Sequence, residues 1–113
     1  NRLWQICMNL LTNAVKHTKK GSIWFGYTIE AEGKMVKFYV SDTGCGIPKD
    51  ELDNIFARFV QLSDFEQGVG LGLAICKGLV LKMGGNISVM SKEGFGSTFI
   101  FTLPMKRPNS WKN

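Results

Sequence analysis

Cysteine is scarce in this chain, and it is spaced for no metal. Cys7, Cys45 and Cys76 are an odd number with no CxxC pair or other ligand interval. That excludes a cysteine-built metal site and fits a reducing compartment. Cys7 and Cys76 fall at apolar helix positions, where a free thiol serves as a small hydrophobe. Histidine occurs once, as His17. No apolar run approaches the length of a bilayer span, and the first residues carry no signal-peptide pattern. There is no internal repeat and no low-complexity segment. With 44% hydrophobic and 20% charged residues over 113 positions, the composition is that of one globular domain.

Positive charge is in excess but concentrated. The net charge is +5, and the stretch Pro104–Asn113 holds Lys106, Arg107 and Lys112 with no acid. About +2 is left for the rest, which suits an anionic ligand and is too weak to argue for nucleic acid. The chain begins at Asn1 and enters a helical pattern at once, so it is expected to be a piece of a longer protein.

Leu3, Ile6, Cys7, Leu10, Leu11, Ala14 and Val15 recur at helical spacing and predict an amphipathic helix over Arg2–His17, with Gly21 ending the segment. Ile23, Phe25, Tyr27 and Ile29 alternate with polar positions, as do Val36, Phe38 and Val40, which predicts a hairpin turning at Gly33. A second helix is expected near Lys49–Phe59, on Leu52, Ile55, Phe56 and Phe59. After an irregular stretch, Val60–Val69, a third should run over about Leu71–Met83, ended by Gly84-Gly85. Asn86–Ser91 and Ser97–Leu103 read as a closing hairpin. The order predicts an α/β (α+β) two-layer sandwich, with a mixed, mostly antiparallel sheet and three helices on one face.

Three places are able to carry chemistry. On the first helix, Asn9, Asn13 and Lys16 share one strip beside the apolar stripe. Its bland reading is a solvated face. Its functional reading is a set of oxygen ligands and one ammonium, suited to Mg²⁺ and phosphate. In Asp42-Thr43-Gly44-Cys45-Gly46-Ile47-Pro48, an acid ends a strand before two glycines. This is either an ordinary turn or a place where a flat ligand meets the backbone while Asp42 accepts from an exocyclic amine. Gly68, Gly70 and Gly72 alternate ahead of the third helix and predict a mobile loop with N–H groups for phosphate. Leu73 and Lys49 break the two possible GxGxxG matches, and no GxxxxGK[ST] occurs.

Taken together, these segments resemble the ATP-binding catalytic domain of sensor histidine kinases, in the wider family of gyrase-type topoisomerases, mismatch-repair ATPases and heat-shock chaperones. The resemblance rests on Asn9–Lys16, Asp42–Pro48, Ile55-Phe56-Ala57-Arg58-Phe59, Gly68–Ile75 and the closing Glu93–Phe99. It covers Arg2 to about Pro104. It implies an ATP-binding domain over 1–104, trimmed at its N-terminal end where a first strand is missing, and a basic polar tail over 105–113. It also implies that Asn13 coordinates Mg²⁺ with support from Asn9, that Lys16 meets phosphate, and that Asp42 reads adenine. Gly44, Gly46 and Ile47 would shape the adenine slot, and Phe59 would also help to bind the nucleotide. Gly68, Gly70, Leu71 and Gly72 would hold the phosphates, with Val60–Val69 as a lid and Arg58 near the γ-phosphate or the phosphorylated domain.

Asn9 separates branches of the resemblance. ATP-hydrolysing relatives have Glu at this place, a group able to take a proton; Asn cannot. The resemblance therefore implies transfer to a histidine rather than hydrolysis. The acceptor would lie on a dimerisation domain elsewhere in a homodimeric, membrane-anchored parent, whose phosphate passes to a response-regulator receiver domain. This domain itself would be cytoplasmic. His17 reads as a contact to the nucleotide, not as the acceptor. Val69 replaces the Ser or Thr of many relatives, and the lid has no basic residue. Two rival readings stand beside this one. The first is a related ATPase or ATP-binding module without kinase activity. The second is a nucleic-acid or protein-interaction module using Trp4, Trp24 and Trp111, against which the lack of a repeated basic–aromatic pattern argues.

Overall fold

A computed structural model of the chain describes residues 2–30, 32–56 and 69–105, and the side chains of all of these except 69–71. Helix α1 spans Arg2–His17 and buries Ile6, Leu10, Asn13 and Ala14. Strands β1 (Ile23–Glu30) and β2 (Met35–Asp42) follow, then the short helix α2 (Lys49–Leu52), helix α3 (Val69–Lys82), and strands β3 (Asn86–Lys92) and β4 (Gly96–Pro104). The sheet order is β1-β2-β4-β3. Every pairing among the described strands is antiparallel, so the expected mixed character is absent from them.

The two hairpins meet along β2 and β4, where Val40 faces Phe99, Phe38 faces Phe101 and Asp42 faces Ser97. Side chains alternate across a strand, so this register puts the apolar set on one face and carries Asp42 and Ser97 to the same face at its end. Phe38 and Phe101 stack at 4.8 Å. Against this face lie Ile6 and Leu10 of α1 and Leu73, Cys76 and Val80 of α3, all buried in one cluster. Each large side chain so buried contributes about 1.5–3 kcal/mol.

Helix α3 ends where its glycines predict. Gly84 sits at φ +86°, its N–H donates to the Leu81 carbonyl, and the Gly85 N–H reaches back to Val80. This is the left-handed cap that glycine forms without a Cβ clash.

Four expectations need correction. Helix α2 stops at Leu52 rather than Phe59, and a turn follows through residue 56. That turn buries Ile55 and sets Phe56 edge-on to Phe99 at 6.0 Å. Helix α3 begins at Val69, so Gly70 and Gly72 lie in its first turn and not in a loop. Val15 is exposed, because the buried stripe of α1 runs through Asn13 and Ala14 instead. Phe25, Tyr27 and Ile29 share the inner face yet are exposed, since β1 is an edge strand and α1 packs chiefly over β2.

Candidate nucleotide site

Helix α1 links the two glycine-rich segments, one through each end of its polar strip. At Asn9, the side-chain carbon Cγ lies 4.0 Å from where a Cβ would stand on Gly72, and one turn earlier the Ile6 carbonyl accepts from the Cys76 thiol at 3.8 Å. Asn9 therefore faces the first turns of α3. At the other end, the His17 carbonyl accepts the Cys45 N–H at 3.1 Å. A Cβ on Gly44 would collide with that carbonyl and stand 2.9 Å from Thr18 Oγ1, so only glycine lets the turn approach the helix this closely. His17 Nδ1 lies 3.7 Å from Cys45 Sγ. Asn9 and His17 are about 12 Å apart along the helix axis.

Asn13 stands midway between them, one turn from each. It is only 8% exposed, and its Oδ1 has no hydrogen-bond partner among the described residues. A buried acceptor left so costs about 1–3 kcal/mol. Lys16, on the same strip, is exposed.

Asp42 ends β2 and is 6% exposed. Its Oδ1 accepts the N–H of Gly44 at 2.8 Å and that of Ser97 at 3.3 Å. Both bonds fall on one oxygen, which leaves Oδ2 able to accept a further hydrogen bond. Thr43 ties the turn to the start of β1, accepting the Ser22 N–H on Oγ1 at 2.9 Å. Gly46 has φ +74°, and a Cβ there would strike the Lys92 carbonyl. Gly94 donates to the Cys45 carbonyl at 2.7 Å. Ile47, half-buried against the core, donates its N–H to Ser91 Oγ at 2.8 Å. The turn Asp42–Ile47 is thus clamped between α1 and the β3–β4 hairpin.

The structure therefore brings Asn9 to Gly72, and His17 to Gly44 and Cys45. Gly70 and Leu71 are placed in the first turn of α3. Arg58, Phe59 and Gly68 lie outside the described residues. Trp4 is on α1, whereas Trp24 pairs with Ser41 on the sheet face opposite the helices. These two form no common stacking strip. Sequence reasoning passed over Ser91 and Ser97, whose hydroxyls lie 2.8 Å apart. Only the register that sets Ser97 opposite both Asp42 and Ser91 reveals them.

Two thiols are shifted upward. Burial pushes Cys76 up to about 11, the Asn9 hydrogen bond opposing this and the neighbouring Cys7 adding to it. Partial burial raises Cys7 as well. Neither is a thiolate at neutral pH.

Residues 1–107 match a family model described as histidine kinase-, DNA gyrase B-, and HSP90-like ATPase. The Aerobic respiration control sensor protein ArcB of Escherichia coli strain K12 is 46% identical over 107 residues, which is 90% of this chain and 14% of ArcB. Full-length ShkA, solved in complex with AMPPNP, is similar with a TM-score of 0.82 at 39% identity, over 95% of this chain and 22% of that one. The mycobacterial sensor histidine kinase MprB gives a TM-score of 0.79 at 30% identity, over 91% of this chain and 72% of that one.

Proposed function

The chain belongs to the histidine kinase-, DNA gyrase B- and HSP90-like ATPase family, and from that membership we propose that it holds Mg-ATP for phosphoryl transfer to a histidine on another domain. Its relatives are sensor kinases of two-component signalling, in which ArcB is about seven times longer than the matched segment. The acceptor histidine and the dimerisation domain that bears it belong to the larger homodimeric parent, which passes the phosphate to a response-regulator receiver domain. No described helix is long and apolar enough to cross a membrane.

Asn13 carries this reading. Its buried Oδ1 without a partner lies on the strip between the two glycine segments, where a ligand would satisfy it. A hard dication takes oxygen donors. Among the described residues no group of three or more His, Cys, Asp or Glu could hold one. Asn13 Oδ1 is the oxygen that would hold such a cation against the nucleotide. A cation held there would supply neutralisation of phosphate charge during transfer.

The chain's own residues bind and orient. Asp42 Oδ2 accepts from the adenine amine, while Gly44, Gly46 and Ile47 form the slot for the ring. His17 borders the nucleotide next to Cys45. Lys16 offers a point charge to phosphate, and the free N–H groups of Val69–Gly72 at the start of α3 face it, as helix N-termini do. Gly68, Arg58 and Phe59 retain the roles that the family motif implies. Asn9 has no carboxylate and takes no proton, so this position supplies no general base and the acceptor histidine brings its own activation. Instead Asn9 packs α1 against the first turn of α3 at Gly72.

Calorimetric titration with AMPPNP, with and without Mg²⁺, tests this. The wild-type chain is expected to bind about tenfold or more tightly with the metal, and Asn13→Ala to bring the two titrations together. Equal affinities for the wild-type chain in Mg²⁺ and in EDTA would sink the metal assignment.

A further inference from the structure

Ser91 lies on β3, on the inner face of the sheet, and is half-buried. Its one hydroxyl makes three contacts. It accepts the Ile47 N–H at 2.8 Å, lies 3.0 Å from the Gly96 carbonyl and lies 2.8 Å from Ser97 Oγ. A serine hydroxyl has one proton and two lone pairs. When it donates to Gly96, the Ser97 hydroxyl donates to Ser91. When it donates to Ser97, the Ser97 proton is released toward other acceptors. The first arrangement gives every group in the set a partner, whereas the second takes the Ser91 proton from the Gly96 carbonyl; in both, Ser97 gives its backbone N–H to Asp42 at 3.3 Å.

We propose that Ser91 is a positioning residue for the nucleobase slot: its hydroxyl fixes Ile47 and, through Ser97, the carboxylate of Asp42. It touches neither base nor phosphate. This rests on the nucleotide reading above and names what holds the base end of that site in place. The turn Gly44–Ile47 has few other ties to the β3–β4 hairpin, namely Gly94 N–H to Cys45 and the packing of Gly46 on Lys92. Of the side chains of that hairpin, Ser91 is the one that holds a backbone N–H of the turn. Losing its hydroxyl strands that N–H and lets the turn drift from the sheet end where Asp42 is anchored. The recognised ligand class is a purine nucleotide with an exocyclic amine. The phosphate end of the site, on α1 and α3, does not depend on Ser91.

The test combines AMPPNP calorimetry with amide hydrogen exchange on the wild-type chain, Ser91→Ala and Ser91→Thr. Ser91→Ala is expected to bind AMPPNP roughly three- to tenfold more weakly, by the same factor with and without Mg²⁺, the scale of one lost neutral hydrogen bond. The Ile47 amide should exchange faster, while those of Val40 and Phe99 in the core stay protected. Ser91→Thr keeps the hydroxyl and should restore affinity to within about twofold. Binding by Ser91→Ala equal to wild type overturns the positioning role alone. So does a loss that threonine does not rescue, or one accompanied by faster exchange throughout the core. A wild-type chain that binds no AMPPNP overturns the nucleotide reading itself.

Discussion

Cys45 Sγ lies 3.7 Å from His17 Nδ1, at the point where the turn after β2 meets the C-terminal end of α1. Two backbone bonds hold the pair, from Cys45 N–H to His17 and from Gly94 N–H to Cys45. Cys45 is the exposed thiol of the three, Cys7 being partly and Cys76 fully buried.

This difference predicts an order of alkylation. At pH 8 in the folded chain, N-ethylmaleimide should label Cys45 first and Cys7 slowly, and leave Cys76 intact, since attack needs an accessible thiolate. A nucleotide bordering His17 should shield Cys45, so saturating AMPPNP with Mg²⁺ is expected to slow its labelling about tenfold or more, by analogy with occupancy protection at saturation. Peptide mass mapping reads the outcome. Labelling of Cys45 that AMPPNP does not slow would place the ligand away from His17.

Much of the fold was legible because local pattern and burial agree. Ile6, Leu10 and Ala14 define α1 from spacing alone, and the alternation around Val40 and Phe99 defines the central strands. Disagreement arises where tertiary context decides. Leu52, Ile55 and Phe56 have helical spacing, yet a turn after Leu52 delivers Ile55 to the core and Phe56 to Phe99. Phe25, Tyr27 and Ile29 have strand alternation, but no pattern within β1 records that it lies at an edge. In the site, Asn13, Asp42 and the glycines were legible as motif residues. Ser91 and Ser97 were not, for a serine in a strand acquires meaning only from what register sets opposite it.

The shifted thiol of Cys76 predicts a pH effect on stability. In the unfolded chain it titrates near its ordinary value of 9.0, and in the folded chain burial raises it to about 11. Between these values the unfolded chain gives up the proton while the folded chain keeps it, so unfolding is favoured as pH rises. The contribution is intact below pH 9 and is lost progressively toward 11, by about 2–3 kcal/mol. Urea unfolding of the wild-type chain and Cys76→Ala at pH 8, 9.5 and 11 checks this. The variant starts less stable because of the cavity, but the gap between the two should narrow as pH rises. A constant gap would mean that the buried thiol titrates no higher than the unfolded one.

Asp42 offers the sharpest test of what the base end of the site reads. Its Oδ1 takes two backbone N–H groups, from Gly44 and Ser97, so that position demands an acceptor. In Asp42→Asn the side-chain oxygen must occupy the Oδ1 position, since the opposite orientation would set an NH₂ against two N–H donors. The NH₂ is thereby fixed where Oδ2 was, and the group presented to the ligand changes from acceptor to donor. The turn keeps both anchoring bonds, so thermal unfolding should shift little. Adenine nucleotide binding should weaken by roughly 1.5–3 kcal/mol, the scale of a lost charged hydrogen bond. Inosine triphosphate carries a carbonyl in place of the amine, so it should gain relative to ATP, because the new donor now has an acceptor to meet. Competition calorimetry with the two nucleotides measures that ratio. A uniform loss for both would show that Asp42 shapes the turn without reading the base, whereas an inverted preference identifies its Oδ2 as the atom that selects the amine.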